Sequence, residues 1–232
     1  MTMYERGAST GAAIIGEWDD GVSWIAHPAE EGQRASHALE TEAGVWLLDP
    51  LDAPGVDGIV EPLGDVVGVA VLSCWHARDA SALAERHGVP VAAPEWLGRI
   101  EERVTAPVER YALAPGDVGF RTIPCRPFPG WEEVLLYHEP SGTLVVPDSL
   151  GTTDLHLVGD ERLGLAWFRR FQPPRQLLGL EPERILVGHG DPVTENPAPA
   201  LQHAIEGARR TIPRALVETG PGSVRSVLGV LR

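Results

Sequence analysis

Lysine is absent from the 232-residue chain, and all 19 of its basic residues are arginine. A Schiff-base lysine is therefore excluded, and so is a phosphate-binding P-loop, whose GKS or GKT ending needs an ammonium beside the phosphates. Cysteine is nearly absent as well, Cys74 and Cys125 being the only two. Two thiols cannot frame a disulfide scaffold, and in a reducing compartment both are expected to stay free. No stretch approaches the roughly 18 consecutive apolar residues of a membrane span. The N-terminal MTMYERGASTGAAIIGEWDD also lacks the basic start and apolar centre of a signal peptide. The expectation is a soluble cytoplasmic protein with no membrane partner. Positive charge is scarce too: 33 acidic residues against 19 basic ones leave a formal net charge of −14, spread along the chain. Such a field repels phosphate backbones, so no nucleic-acid partner is expected.

What is present suits one core. A hydrophobic content of 43% is enough for a single domain, taken as residues 1–213, with a Gly- and Pro-punctuated tail at 214–232. Residues 11–50 hold short Trp-, Ile- and Val-rich runs broken by DDG and TEAG, the pattern of antiparallel strands. VVGVAVLS at 66–73 reads as a strand buried on both faces, and DASALAERHG at 79–88 as a helix with a Gly stop. VPVAAP repeats the strand, and PEWLGRIEERV the helix, with Pro94 placed to begin it. VGFRTIPC, WEEVLLYH and TLVVPD then read as strands. A helix near 162–179, the strand ERILVGHG and a helix within 198–213 complete the pattern. This order points to two sheets with helices on their outer faces.

Five apolar runs end in turns that carry polar or ionisable groups: Asp49 after VWLL, Cys74 to Asp79 after VAVLS, Cys125 to Gly130 after FRTI, Asp148 after LVV, and His189 after RILVG. Sites in sheets with helical crossovers gather at the carboxyl ends of strands, so these turns are expected to meet on one rim.

These segments resemble the metallo-β-lactamase superfamily over residues 36–213. ASHALETEAGVWLLDP is similar to the opening hairpin that ends in a supporting acid, here Asp49. LSCWHARDA stands at the Thr-His-X-His-X-Asp-His signature, RPFPGW at the Gly-His-Thr-Pro-Gly-His turn, VVPDSLG at the Gly-Asp-Ser-Leu turn, and ILVGHGDPV at the last Gly-His-Gly turn. The resemblance implies an αββα four-layer sandwich and a hydrolase centre that holds two metal ions. It also implies a changed ligand set. His76, Asp148 and His189 match the ligand positions, whereas Cys74, Arg78, Asp79 and Pro127 stand where the others belong.

Two metals are not expected from that set, since Pro127 has no side-chain donor and Arg78 is a permanent cation. One divalent metal, zinc, iron or manganese, is compatible with His76, Asp148 and His189, with Cys74 or Asp79 completing the shell. Asp and Cys are shorter than the His they replace, so reach limits that role. Cys125 shares strand parity with Pro127 and offers a second thiol.

Two functional readings stand side by side. In one, a depleted centre binds a small polar or anionic molecule, or a partner, through Arg78. Trp75, Trp131 and Phe128 then serve as walls, and Arg78 lies between Asp79 and Asp148. In the other, a mononuclear metal-dependent hydrolase acts on a small ester, lactone or thioester, with Asp148 or Asp79 as general base. His156, in the polar stretch GTTDLHLVGDE, is a candidate substrate contact. Alternation sends one of Glu132 and Glu133 toward the site and the other away. Each feature also has an ordinary explanation: a buried small hydrophobe for Cys74 and Cys125, a turn cap for Asp148, a helix-start pair for Arg78 and Asp79. The oligomeric state is not readable from the sequence.

Overall fold

The computed structural model describes residues 3–5 and 7–219. The opening Trp- and Val-rich runs form β1 (Ala13–Trp18), β2 (Gly21–Ile25), β3 (Ala35–Thr41) and β4 (Gly44–Leu48), each antiparallel to the next. A short helix, α1 (Val56–Val60), leads into β5 (Val66–Ala70). Helix α2 (Ala80–His87), β6 (Val91–Pro94) and β7 (Val108–Tyr111) come next. From β4 to β7 the pairing is parallel, which completes a seven-stranded sheet in the order β1 to β7. The second sheet has four strands in the order β11-β10-β9-β8, from β8 (Phe120–Cys125), β9 (Glu133–His138), β10 (Thr143–Val146) and β11 (Arg184–Val187). Helices α3 (Pro197–Gly207) and α4 (Ile212–Glu218) close the described chain.

The layers result from which faces are apolar. Trp24, Leu39, Leu47 and Val69 of the large sheet pack with Val134, Leu136, Val145 and Leu186 of the small one in a shared core. Leu135, Leu144, Ile185 and Val187 point the opposite way, where Leu201, Ala204 and Ile205 of α3 cover them. Helix α2 covers the large sheet through Ala80, Leu83 and Ala84. The result is the four-layer αββα sandwich expected from the strand and helix order. Among the described residues no helix is long and apolar enough to cross a membrane.

Local departures have local causes. Residues 95–103, expected as a helix begun by Pro94, are successive turns; Pro94 instead ends β6, and the Gly98 amide is taken by the Glu132 carboxylate at 2.7 Å. The stretch 162–179, also expected to be helical, contains only two 3-10 turns, Trp167–Phe171 and Arg175–Leu177. Pro173 and Pro174 separate them, and Arg169 and Arg170 are drawn fully inside to buried carboxylates. Helix α1 and strand β7 had no clear periodicity to mark them. Of the tail expected at 214–232, residues 214–218 belong to α4, and 220–232 lie outside the described residues.

One polar bridge ties the sheets together inside the core. His37 on β3 receives a hydrogen bond from Ser23 on β2 (2.6 Å), and its Nε2–H donates to the Val187 carbonyl of β11 (3.1 Å). Those two bonds assign a neutral imidazole with the proton on Nε2. Burial, reinforced by the Arg78 charge and opposed only by the Val187 carbonyl, pushes the His37 pKa down to about 3. A histidine whose folded pKa lies below its unfolded value contributes stability that is complete above the unfolded pKa and is lost as pH falls toward the folded one. Stability is therefore expected to decline from about pH 6.5 toward pH 3. His37→Gln keeps the shape of the bridge without titrating, and is expected to flatten that decline in urea unfolding measured at pH 7, 5 and 4. Identical slopes for wild type and variant would refute the assignment.

Candidate metal centre

The seam between the two sheets places three of the strand-end turns on one point. His76 comes after β5, Asp148 after β10 and His189 after β11. One ligand atom from each lies within 4.8 Å of the other two. The His76 Nε2 is 3.0 Å, and the His189 Nε2 3.4 Å, from the same Asp148 oxygen, Oδ1. The other Asp148 oxygen accepts the Ser73 hydroxyl proton at 2.6 Å, which turns Oδ1 toward the imidazoles.

Both rings are oriented from behind. The His76 Nδ1 pairs with the Asp49 carboxylate at 2.8 Å, and the His189 Nδ1–H donates to the Gly32 carbonyl at 2.6 Å. With both Nδ1 atoms anchored in this way, each Nε2 faces the same carboxylate oxygen. Three lone-pair atoms facing one another repel unless a proton or a cation lies among them, and carboxylate- or carbonyl-anchored histidines are the usual supports of metal ligands. Burial and the Arg78 charge oppose protonation of His76, but the Asp148 and Asp49 carboxylates outweigh them and raise its pKa. Burial likewise opposes ionisation of Asp148. The His76 charge and the hydrogen bonds from both histidines overcome it and hold the carboxyl well below its ordinary range.

The other anticipated site residues go elsewhere. The Asp79 carboxylate accepts the Asp52 amide at 2.9 Å at the start of α2 and does not join the cluster. Cys74 is buried with its thiol 3.7 Å from the Gly130 carbonyl, and Cys125 lies beside Ser149 and Arg169. Neither sulfur reaches the three ligand atoms, so no Cys-Cys-His set forms. Arg78 does not lie between Asp79 and Asp148. Its NH1 donates to the Ala35 (2.5 Å) and Asp49 (2.7 Å) carbonyls and its NH2 to the Gly188 carbonyl (3.1 Å), with His76 Nε2 3.5 Å away. The guanidinium thus binds main-chain oxygens at three strand ends. Trp75 has Arg99 on its face at 4.1 Å, while Trp131 donates to Glu133 and meets Phe168 edge-on. His156 stacks on His189 with ring centres 5.9 Å apart and an interplanar angle of 26°. Burial, with the neighbouring His189 charge, lowers its pKa to about 3, so it stays neutral.

Several supports had little or no signal in the sequence. Of the acidic pair, Glu133 turns inward and receives the Asp148 and Ser149 amides at 3.0 and 2.9 Å, shaping the Asp148 turn. Glu132 serves Gly98 instead. Tyr4 reaches within 6.3 Å of the His189 ring, lying over Gly32, where an added Cβ would come within 2.5 Å of the phenol ring. An isolated tyrosine near the chain start carries no periodicity or motif that could announce this.

No protein-family model matches the chain, and no curated protein matches it. Solved structures do. The DIM-1 metallo-β-lactamase exposed to ceftazidime superposes with a TM-score of 0.58 at 12% identity, covering 88% of this chain and 100% of that one. A metallo-β-lactamase from Pontibacter korlensis gives 0.60 at 15% identity, covering 85% and 99%. The metal-soaked Flv1 flavodiiron core from Synechocystis sp. gives 0.59 at 14% identity, covering 90% of this chain and 62% of that one. The fold shared with these structures is that of the metallo-β-lactamases.

Because Arg78 donates to three carbonyls at once, its removal breaks three bonds beside a buried cluster, the Gly188 carbonyl alone keeping a second donor in the Ala35 amide at 3.0 Å. Arg78→Ala is expected to cost about 2 to 4 kcal/mol in urea unfolding. A loss below about 0.5 kcal/mol, the usual scale for a surface change, would show that the guanidinium does not hold the strand ends.

Proposed function

We propose that this metallo-β-lactamase-fold protein is a one-cation protein. His76, Asp148 and His189 bind a single divalent ion such as zinc, iron or manganese, and a small polar or anionic molecule meets it at the strand-end rim. The observation that carries this reading is the shared target of the two imidazoles: both Nδ1 atoms are anchored, and both Nε2 atoms face one oxygen of Asp148. The resemblance implies separate ions for His76 and His189, whereas both Nε2 atoms here face one oxygen of Asp148, which supports a single ion. Donors for a second ion are missing at the positions of Arg78 and Pro127.

When bound, such an ion supplies Lewis-acid polarisation and a water acidified toward neutral pH. Orientation and proton transfer belong to the chain's own residues. Asp49 and Gly32 hold the two rings in place, and Ser73 fixes the carboxylate so that Oδ1 rather than Oδ2 faces the centre. Asp148 is the only carboxylate among the three clustered groups, so proton transfer falls to it, with Asp79 committed to the Asp52 amide. Hydrolysis of a small ester, lactone or thioester is the reaction class that fits two His donors, one carboxylate and exchangeable positions.

A second reading has one specific observation in its favour. The Arg78 guanidinium, 3.5 Å from the His76 Nε2, already brings a permanent positive charge to the cluster, and a protonated His76 paired with Asp148 would leave a metal-free anion site. Elemental analysis of untagged protein grown with added zinc, iron and manganese separates the two. One equivalent of metal is expected in the wild type, with at least a tenfold loss in His189→Ala and in Asp148→Ala. Two equivalents overturn the depleted-centre reading, and metal content equal in wild type and variants overturns the ligand assignment in favour of the metal-free site.

A further inference from the structure

Arg78 is spent on carbonyls, so the recognition of an anion passes to other residues. The turns after β6 carry them. Arg99 lies over the face of Trp75 at 4.1 Å, and Arg103 lies 5.5 Å from the same ring while its NH1 donates to the Trp75 carbonyl at 3.1 Å. On the adjoining turn Arg126 covers Trp96 at 4.4 Å and donates to its carbonyl. All three arginines are exposed, and both tryptophans are half-buried. Trp75 is the neighbour of His76 in the chain, and both residues belong to the turn that follows β5.

Three features mark Arg99 and Arg103, whereas Arg126 pairs with Glu132 at 3.9 Å. First, the chain has a net charge of −14, and Arg34, Arg86, Arg110, Arg170 and Arg184 are each paired with a carboxylate. Among the described residues, Arg99 and Arg103 have no carboxylate within ion-pair distance, although they share one indole. Second, Arg99 has φ +65°, a left-handed conformation that costs a non-glycine residue energy and is retained where the surroundings dictate it. Third, the presenting turn is held from below: the Glu132 carboxylate takes the Gly98 amide, and Leu97 and Ile100 are buried anchors on either side of the exposed Arg99. Stacking on an aromatic face leaves the edge of a guanidinium, with its paired N–H donors, open for a planar or tetrahedral oxyanion.

We propose that Arg99 and Arg103, stacked on Trp75, form an oxyanion-binding subsite that takes a carboxylate or phosphate group of a small molecule whose reacting end lies at the metal centre. The ligand class is thus a small molecule with an anionic group remote from the bond to be broken. The identity of that molecule as a substrate rests on the one-cation reading, but the subsite itself does not.

Calorimetric titration of chelator-treated protein at low ionic strength tests the subsite without any contribution from bound metal. The probes are glutarate, inorganic phosphate and the neutral glutaramide. The wild type is expected to bind at least one of the two anions and not glutaramide; glutarate alone assigns a carboxylate, and phosphate alone a phosphate group. R99A/R103A is expected to bind the anion at least tenfold more weakly. R209A/R210A, which removes the same charge outside the rim, is expected to bind within about twofold of wild type. Overturning results are an R99A/R103A affinity equal to wild type, an equal fall in R209A/R210A, or binding of glutaramide as tight as that of glutarate. Absence of anion binding in the wild type also overturns the proposal, whereas failure of the one-cation reading registers only in the metal content of the His189 and Asp148 variants.

Discussion

The Asp49 turn at the end of β4 is the constraint on which the site depends. One carboxylate oxygen accepts the Leu72 amide at 2.7 Å, the other orients His76, and the main-chain carbonyl accepts from Arg78. Both Asp49 (φ +46°) and Arg78 (φ +39°) adopt a conformation that side chains disfavour. The strain persists because each residue is held by several bonds at once. Through Arg78 the same turn reaches Ala35 on the large sheet and Gly188 beside the small one, so the seam between the sheets and the orientation of His76 are one structure.

That coupling holds the two sheets together around the three clustered side chains. Arg78 satisfies carbonyls at three strand ends while its NH2 stays 3.5 Å from the His76 Nε2. Glu133 performs the matching task on the small sheet, gathering the Asp148 and Ser149 amides while Arg169 approaches it from the buried side at 3.8 Å. Burial and the nearby Asp148 charge raise the Glu133 pKa, and Arg169 acts against them. A buried ion pair of this type adds little net stability but makes removal of either partner costly.

The alternating and continuous apolar runs were readable because strand side chains repeat every two residues and their burial leaves a direct imprint on composition. The turns at Asp49, His76, Asp148 and His189 were readable too, since polar groups at the ends of apolar strands stand out against what precedes them. Helix readings were weaker. At 95–103 the apolar spacing of Leu97, Ile100 and Val104 matches a helix, but the same three residues serve as anchors for turns, and a side chain thirty-four positions away captures the Gly98 amide. At 167–171 the expected helix gives way to a 3-10 turn, in which Glu133 and Glu161 draw Arg169 and Arg170 into the interior.

By itself the sequence determined every strand but β7, the plan of two sheets with outer helices and the identity of the groups able to meet at the rim, because these depend on hydrophobic periodicity and side-chain chemistry. Only the tertiary structure decided which of those groups meet. Cys74 and Asp79 are near neighbours of His76 in the chain and still face elsewhere, while Asp148 and His189, far away in sequence, share its Nε2 environment. Direction at a turn is set by the bonds that long-range neighbours offer, and those partners exist only once both sheets have closed on each other.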